Sequence, residues 1–168
     1  LKNKITAGSF QIRVPKTAKR VKALVMDTLP WIPITQGREV TLEVKDGVVS
    51  CDTDQDVLYI AQAERYGKNG NIGKAFMGGF KMKAGAIASS VGHDNHNSSV
   101  LGENHADMAI AVNRLAEIQG GQVVVRDGKV LSEIAYPVLG LLSDLSAEEL
   151  AEKKKGMNAI IHEMGCEI

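Results

Sequence analysis

The sequence predicts an α+β fold: a mixed, largely antiparallel sheet built from hairpins and covered by two main helices. Three observations carry that expectation. Val40, Leu42 and Val44 alternate with polar residues and run into Asp46-Gly47, the dipeptide that a tight hairpin turn requires. A second Val-rich segment, "QVVVRDGKVLSEI", repeats the device at Asp127-Gly128. Two further stretches have helical spacing and N-terminal caps, one from Asn104 and one from Ser146.

Taken in order, "FQIRV" alternates loosely and predicts an edge strand ended by Pro15. "RVKALVMD" predicts a strand, and "LPWIPIT" an extended, proline-stiffened connection. "DVLYIAQAERYGKNG" begins β-like and ends in a turn cluster, and a short helix over 58–65 fits it equally well. Gly70, Gly73, Gly78, Gly79 and Gly85 then crowd into a segment expected to form an irregular sheet of short strands. Beyond a polar stretch, Asn104 caps a helix over 105–119 whose apolar face is Met108, Ala111, Val112, Leu115 and Ile118, and Gly120-Gly121 stops it. "AYPVLGLLSD" is apolar and broken by Pro137 and Gly140, which predicts a buried crossing segment. Ser146 and Glu149 form a capping box for a last helix reaching about Met164, with Leu150, Met157, Ile160 and Ile161 inward and "EKKK" solvated.

The 168 residues suit a single domain spanning 1–168. Twenty basic and twenty acidic residues cancel, which speaks against a nucleic-acid or anionic-lipid partner. No apolar run approaches 18 residues, so no membrane partner is expected, and no signal-peptide block opens the chain. Cys51 and Cys166 form neither a disulfide framework nor zinc-ribbon spacing, which leads to a cytoplasmic localisation with reduced thiols. A chain beginning at Leu1 reads as an excised piece or a processed product.

"SSVGHDNHNSSVLGEN" is the stretch richest in chemistry. His93 and His96 would share one face of a helix, but Gly92, Asp94, Asn95 and Asn97 favour turns. Three readings compete: a self-contained metal site, a structural turn whose Asp and Asn side chains satisfy the backbone, and a polar loop completing a pocket with another domain or subunit. His105 and His162 are expected at the surface, and Cys51 has no base to activate it. No set of residues forms a complete catalytic constellation, so no catalytic residue and no metal ligand is assigned.

Residues 63–144 resemble the C-terminal region of bacterial adenine deaminase, of the amidohydrolase superfamily. The resemblance rests on Ser89 through "GHDNHN" to Asn97, on Gly102, on "DMAIAVN" at 107–113, on Gly120-Gly121, on Asp127-Gly128 and on "PVLGLLS" at 137–143. Asn95 and Ser98-Ser99 depart from the family pattern, which has serine between the histidines and an apolar pair after them. The resemblance implies hydrolysis of adenine to hypoxanthine and ammonia, with a divalent metal (manganese, iron or zinc) held in an N-terminal amidohydrolase barrel. That barrel's H-x-H motif does not occur here, and a barrel needs roughly 200 residues or more. The chain is thus expected to be an accessory domain, inactive alone and holding no cofactor. Its partners would be the barrel and, in the parent enzyme, adenine. His93, Asp94, His96 and Asn97 are the candidates to face the barrel or the substrate pocket. The alternatives are a non-enzymatic ligand-binding module or a homo-oligomerisation module of the same fold.

Overall fold

A computed structural model describes residues 1–29, 32–92 and 94–167. Those residues form a nine-stranded sheet. The strands are β1 (Arg20–Thr28), β2 (Thr35–Lys45), β3 (Val48–Val49), β4 (Leu58–Ala63), β5 (Ile72–Gly78), β6 (Ala86–Ser89), β7 (Ser98–Gly102), β8 (Gly121–Arg126) and β9 (Lys129–Ala135). The helices are α1 (Ala7–Phe10), α2 (His105–Glu117) and α3 (Ala147–Glu163). In space the strands run β3-β2-β1-β5-β4-β7-β6-β8-β9. The β1–β5 pair is parallel and the other described pairings are antiparallel, so the sheet is mixed but mostly antiparallel, as expected.

Both Asp-Gly turns form. Asp46 and Gly47 have φ of 52° and 76°, and Asp127 and Gly128 have 53° and 75°. This left-handed pair gives the hairpin a twist that matches its strands. Residues 58–63 resolve as strand β4, because alternate side chains find two different cores. Tyr59, Ala61 and Ala63 enter one, and Leu58 enters the other.

The first core lies between the sheet and α2. Met108, Ala111, Val112 and Leu115 of α2 pack on Val25, Tyr59, Phe76, Val100, Val123 and Val125. The N-terminal segment closes the rest of this face through Ile5 and Phe10. Here the sequence expectation needs correcting. "FQIRV" is no strand: Phe10 ends the short helix α1, and only Arg13 makes an isolated bridge, to Val48. Phe10 is fully buried, and a helical turn aims it at the core more directly than alternation would. The second core is smaller and lies under α3, where Met157 and Met164 pack on Leu58, Leu101, Val124 and Ile134.

The family-like "DMAIAVN" run has a structural purpose. Asn104 caps α2 by accepting from the Asp107 amide at 2.8 Å. The buried Asp107 carboxylate accepts from the amides of Asp127 and Gly128 at 3.1 and 2.8 Å, fixing the β8–β9 turn to the helix start. Asn113 exchanges two hydrogen bonds with the backbone of Ile5, at 3.0 and 2.7 Å, and so pins the N-terminal segment.

Candidate functional site

The polar stretch joins β6 to β7. Both are interior strands, so the loop projects from an end of the sheet. The ends of β4, β8 and β9 set the positions of its neighbours: residues 64–66, the Gly120-Gly121 turn and the 137–143 segment.

Within the loop, Asn95 Oδ1 accepts from the Asn97 amide at 2.8 Å, a side-chain-closed turn. Asp94 and His96 both adopt left-handed backbone, with φ of 66° and 51°. Non-glycine residues enter that region at a cost on the order of 1–3 kcal/mol each, so surrounding structure must hold them there. Arg65 supplies the hold. Its Nε donates to the His96 carbonyl and its Nη2 to the Leu139 carbonyl at 2.8 Å, while Tyr66 lies under the guanidinium at 4.9 Å. One side chain thereby ties the loop to the 137–143 segment.

Ser90, fully buried, makes the second tie. Its Oγ donates to the Gly140 carbonyl at 2.5 Å and accepts from the Gly121 amide at 2.7 Å. Close backbone approach makes glycine necessary here. A Cβ at Gly120 would meet the Gly140 Cα at 2.5 Å, and one at Gly140 would meet Arg65 Nη1 at 2.5 Å. The separate sequence motifs around Ser90, Gly120-Gly121 and Gly140 are therefore one packed unit.

The side chains on this scaffold differ in exposure. Asp94 is exposed, and His96 and Asn97 are half-buried. The His96 ring makes no hydrogen bond among the described residues, and Asn97 Oδ1 is buried without a partner among them. His93, the fourth candidate, lies outside the described residues. Around the loop stand Tyr66, Val91, Val138, Leu139 and Leu142, all exposed, with Leu139 78% and Leu142 64% accessible. This corrects the expectation that 137–143 is a buried crossing segment. Pro137 and Gly140 shape it into a short turn closed by the Val138–Leu142 bridge, which leaves its apolar side chains facing outward.

His105 also departs from expectation. It is half-buried, its ring packed 4.1 Å from that of Tyr59, and burial with nearby Lys74 lowers its pKa. Cys51 donates to the Glu103 carbonyl at 3.0 Å, and burial pushes its thiol up to about 11, far from a reactive thiolate. No disulfide links Cys51 and Cys166. No group of three His, Cys, Asp or Glu side chains able to hold a metal ion occurs among the described residues. Arg65, Tyr66 and Gln62 were not singled out by sequence reasoning, and Ser90 entered only as part of the family-like run. The "ERYG" run was the available signal, but Arg65 bonds to carbonyls 31 and 74 positions away.

Comparison with known proteins bears directly on this cluster. A family model described as the adenine deaminase C-terminal domain matches residues 33–168. The chain belongs to that family. Adenine deaminases of Clostridium botulinum (strain Langeland) and Moorella thermoacetica are 43% and 42% identical to it over all 168 residues. That of Brucella melitensis is 43% identical over 162 residues. The kinship thus extends well beyond residues 63–144. The chain spans only 28%, 28% and 27% of the length of these three relatives. As an adenine deaminase C-terminal domain, it is one part of a larger polypeptide. No helix among its described residues is long and apolar enough to cross a membrane.

Proposed function

We propose that this domain is an accessory part of a metal-dependent adenine deaminase, inactive alone, whose β6–β7 loop packs against the catalytic barrel and helps complete the purine pocket. The barrel, elsewhere in the parent chain, would hold the metal that activates water. No group able to hold a metal ion occurs among the described residues, so they are assigned no part in that step. Their contribution is recognition. A purine edge offers ring nitrogens that accept hydrogen bonds and an amino group that donates them. Asp94, His96 and Asn97 offer complementary acceptors and a donor from a backbone that Arg65 and Ser90 hold fixed. His93 belongs to the same proposal through its place in the loop.

The observation that carries this reading is the contrast between a pinned backbone and unengaged side-chain atoms. A loop serving only its own turn would need Asn95 and little more. Here a buried Asn97 oxygen and the half-buried His96 imidazole make no hydrogen bond among the described residues, and exposed apolar side chains of the kind that marks an interface stand nearby. In the full-length parent enzyme, His96→Ala and Asp94→Ala should lower kcat/KM for adenine by on the order of tenfold or more, with metal content unchanged. Parental kinetics combined with a lowered melting temperature would make the loop purely structural.

A further inference from the structure

We infer a second contact surface: the uncovered part of the α3-side sheet face, over β1 and the neighbouring stretches of β5 and β4 around Ala75 and Gln62, is packed by the remainder of the parent deaminase chain. The inference rests on the reading of this chain as one domain of that enzyme, and it concerns a surface separate from the loop.

Strand register defines the surface. Met26 lies opposite Met77, and Met77 opposite Leu58 of the second core, so Leu24 and Met26 belong to the α3 side of the sheet. Ile60 pairs with Ala75, and Gln62 with Gly73 and Ser99, on that same side. Strands are spaced roughly 4.8 Å apart and a helix is roughly 10 Å wide, so one helix covers about two strands. α3 sits toward the β9 end, where Met157 seals Val124 and Ile134. It cannot also reach β1. Leu24 is accordingly 68% exposed, and Met26 is exposed beside it.

Between them and β7 lies a trough of about 320 Å³ whose lining includes Met26, Ile60, Gln62, Gly73, Lys74 and Ala75. Gly73, Ala75 and Ser99 are small, Met26 and Ile60 are apolar, and Gln62 and Lys74 are polar, so the trough has room for side chains of a packed element. Lys22 and Glu39, 3.8 Å apart and well exposed, give the apolar area a charged margin.

Two observations identify the occupant. First, Gln62 joins the trough to the loop, donating to Asn95 Oδ1 at 3.2 Å and to Ser99 Oγ at 3.4 Å, so the two surfaces are continuous. Second, the chain accounts for only 28% of the length of its relatives, so most of the parent polypeptide lies outside it and is available to pack there. A body resting on the loop end would reach the adjoining face across Gln62 and Ser99.

Thiol labelling tests the inference. Leu24→Cys and Asp94→Cys are each placed in the full-length parent enzyme and in this chain alone, with labelling read at the corresponding peptide by mass spectrometry. Met108→Cys, buried under α2, reports that each form is folded by failing to react. The Leu24→Cys thiol should react freely in the chain alone and at least roughly tenfold more slowly in the parent. Equal rates in both forms would overturn the inference. Protection in the chain alone that grows with protein concentration would also overturn it, by assigning the face to a second copy. Slowing at Asp94→Cys with none at Leu24→Cys keeps the loop reading and removes only this one. Slowing at Leu24→Cys alone does the reverse.

Discussion

The two faces of the sheet are built from the same strands but finished differently. On the α2 side, a 13-residue helix, the α1 turn and the N-terminal segment cover the sheet from β8 across to β2. On the α3 side, the helix and the residues around Met164 cover the sheet from β9 as far as Leu58 on β4, leaving Leu24 and Met26 facing outward. A single domain must bury its apolar stripes against another layer, and here one half-layer is missing. Under the proposed contact, the difference separates what holds the domain together from what it would offer to the rest of its parent chain.

The largest effect expected from this contrast is on the closed side. Met108→Asp places a carboxylate in the α2 core and should cost on the order of 3 kcal/mol or more of unfolding free energy, read by urea denaturation. The matching change on the open side, Leu24→Asp, should stay within about 0.5 kcal/mol in the chain alone. Similar costs at both positions would erase the distinction between the faces.

Arg65→Ala is expected to be intermediate. It removes the tie between the loop and the 137–143 segment and leaves two carbonyls without their donor, at a cost of about 1–3 kcal/mol. Amide hydrogen exchange should quicken at 91–97 and 137–143 and stay unchanged within α2. A uniform change across the domain would mean that Arg65 supports the whole fold and not the loop.

A smaller effect is expected from pH. His105 has a lowered pKa because burial against Tyr59 and the charge of Lys74 disfavour its protonated form. The unfolded chain therefore takes up this proton first. The stabilisation is fully present above the unfolded value near 6.5 and is lost as pH falls from there through the lowered folded-state pKa. Glu133, held low by Arg114, and the capping Glu149 act in the same direction, but only in the more acidic carboxylate range. His105→Phe should flatten the pH dependence of the melting temperature just below pH 6.5. An unchanged slope would assign it to other groups.

What was legible in the sequence was local. The Asp-Gly turns, the Asn104 and Ser146 caps and the apolar face of α2 depend on residues a few positions apart, and all of them form as expected. Which apolar side chains stay outside was not legible. Val138, Leu139 and Leu142 look like core because hydropathy records a need for cover without saying whether this chain supplies it. Phe10 misled in the other direction, since its alternating neighbours resemble a strand while the side chain is buried from a helical turn. In the candidate site, "HDNHN" stands out by composition. The residues that shape it do not, because Arg65 and Ser90 act on backbone carbonyls brought near only by the fold.

The most direct measurement is amide exchange at residues 91–97 of the full-length parent enzyme, with and without bound adenine. If the β6–β7 loop completes the purine pocket, adenine should slow exchange there while the β8–β9 turn at 127–128, on the opposite end of the sheet, is unaffected. Exchange at 91–97 that is identical with and without adenine, under conditions where adenine saturates the enzyme, would contradict the account.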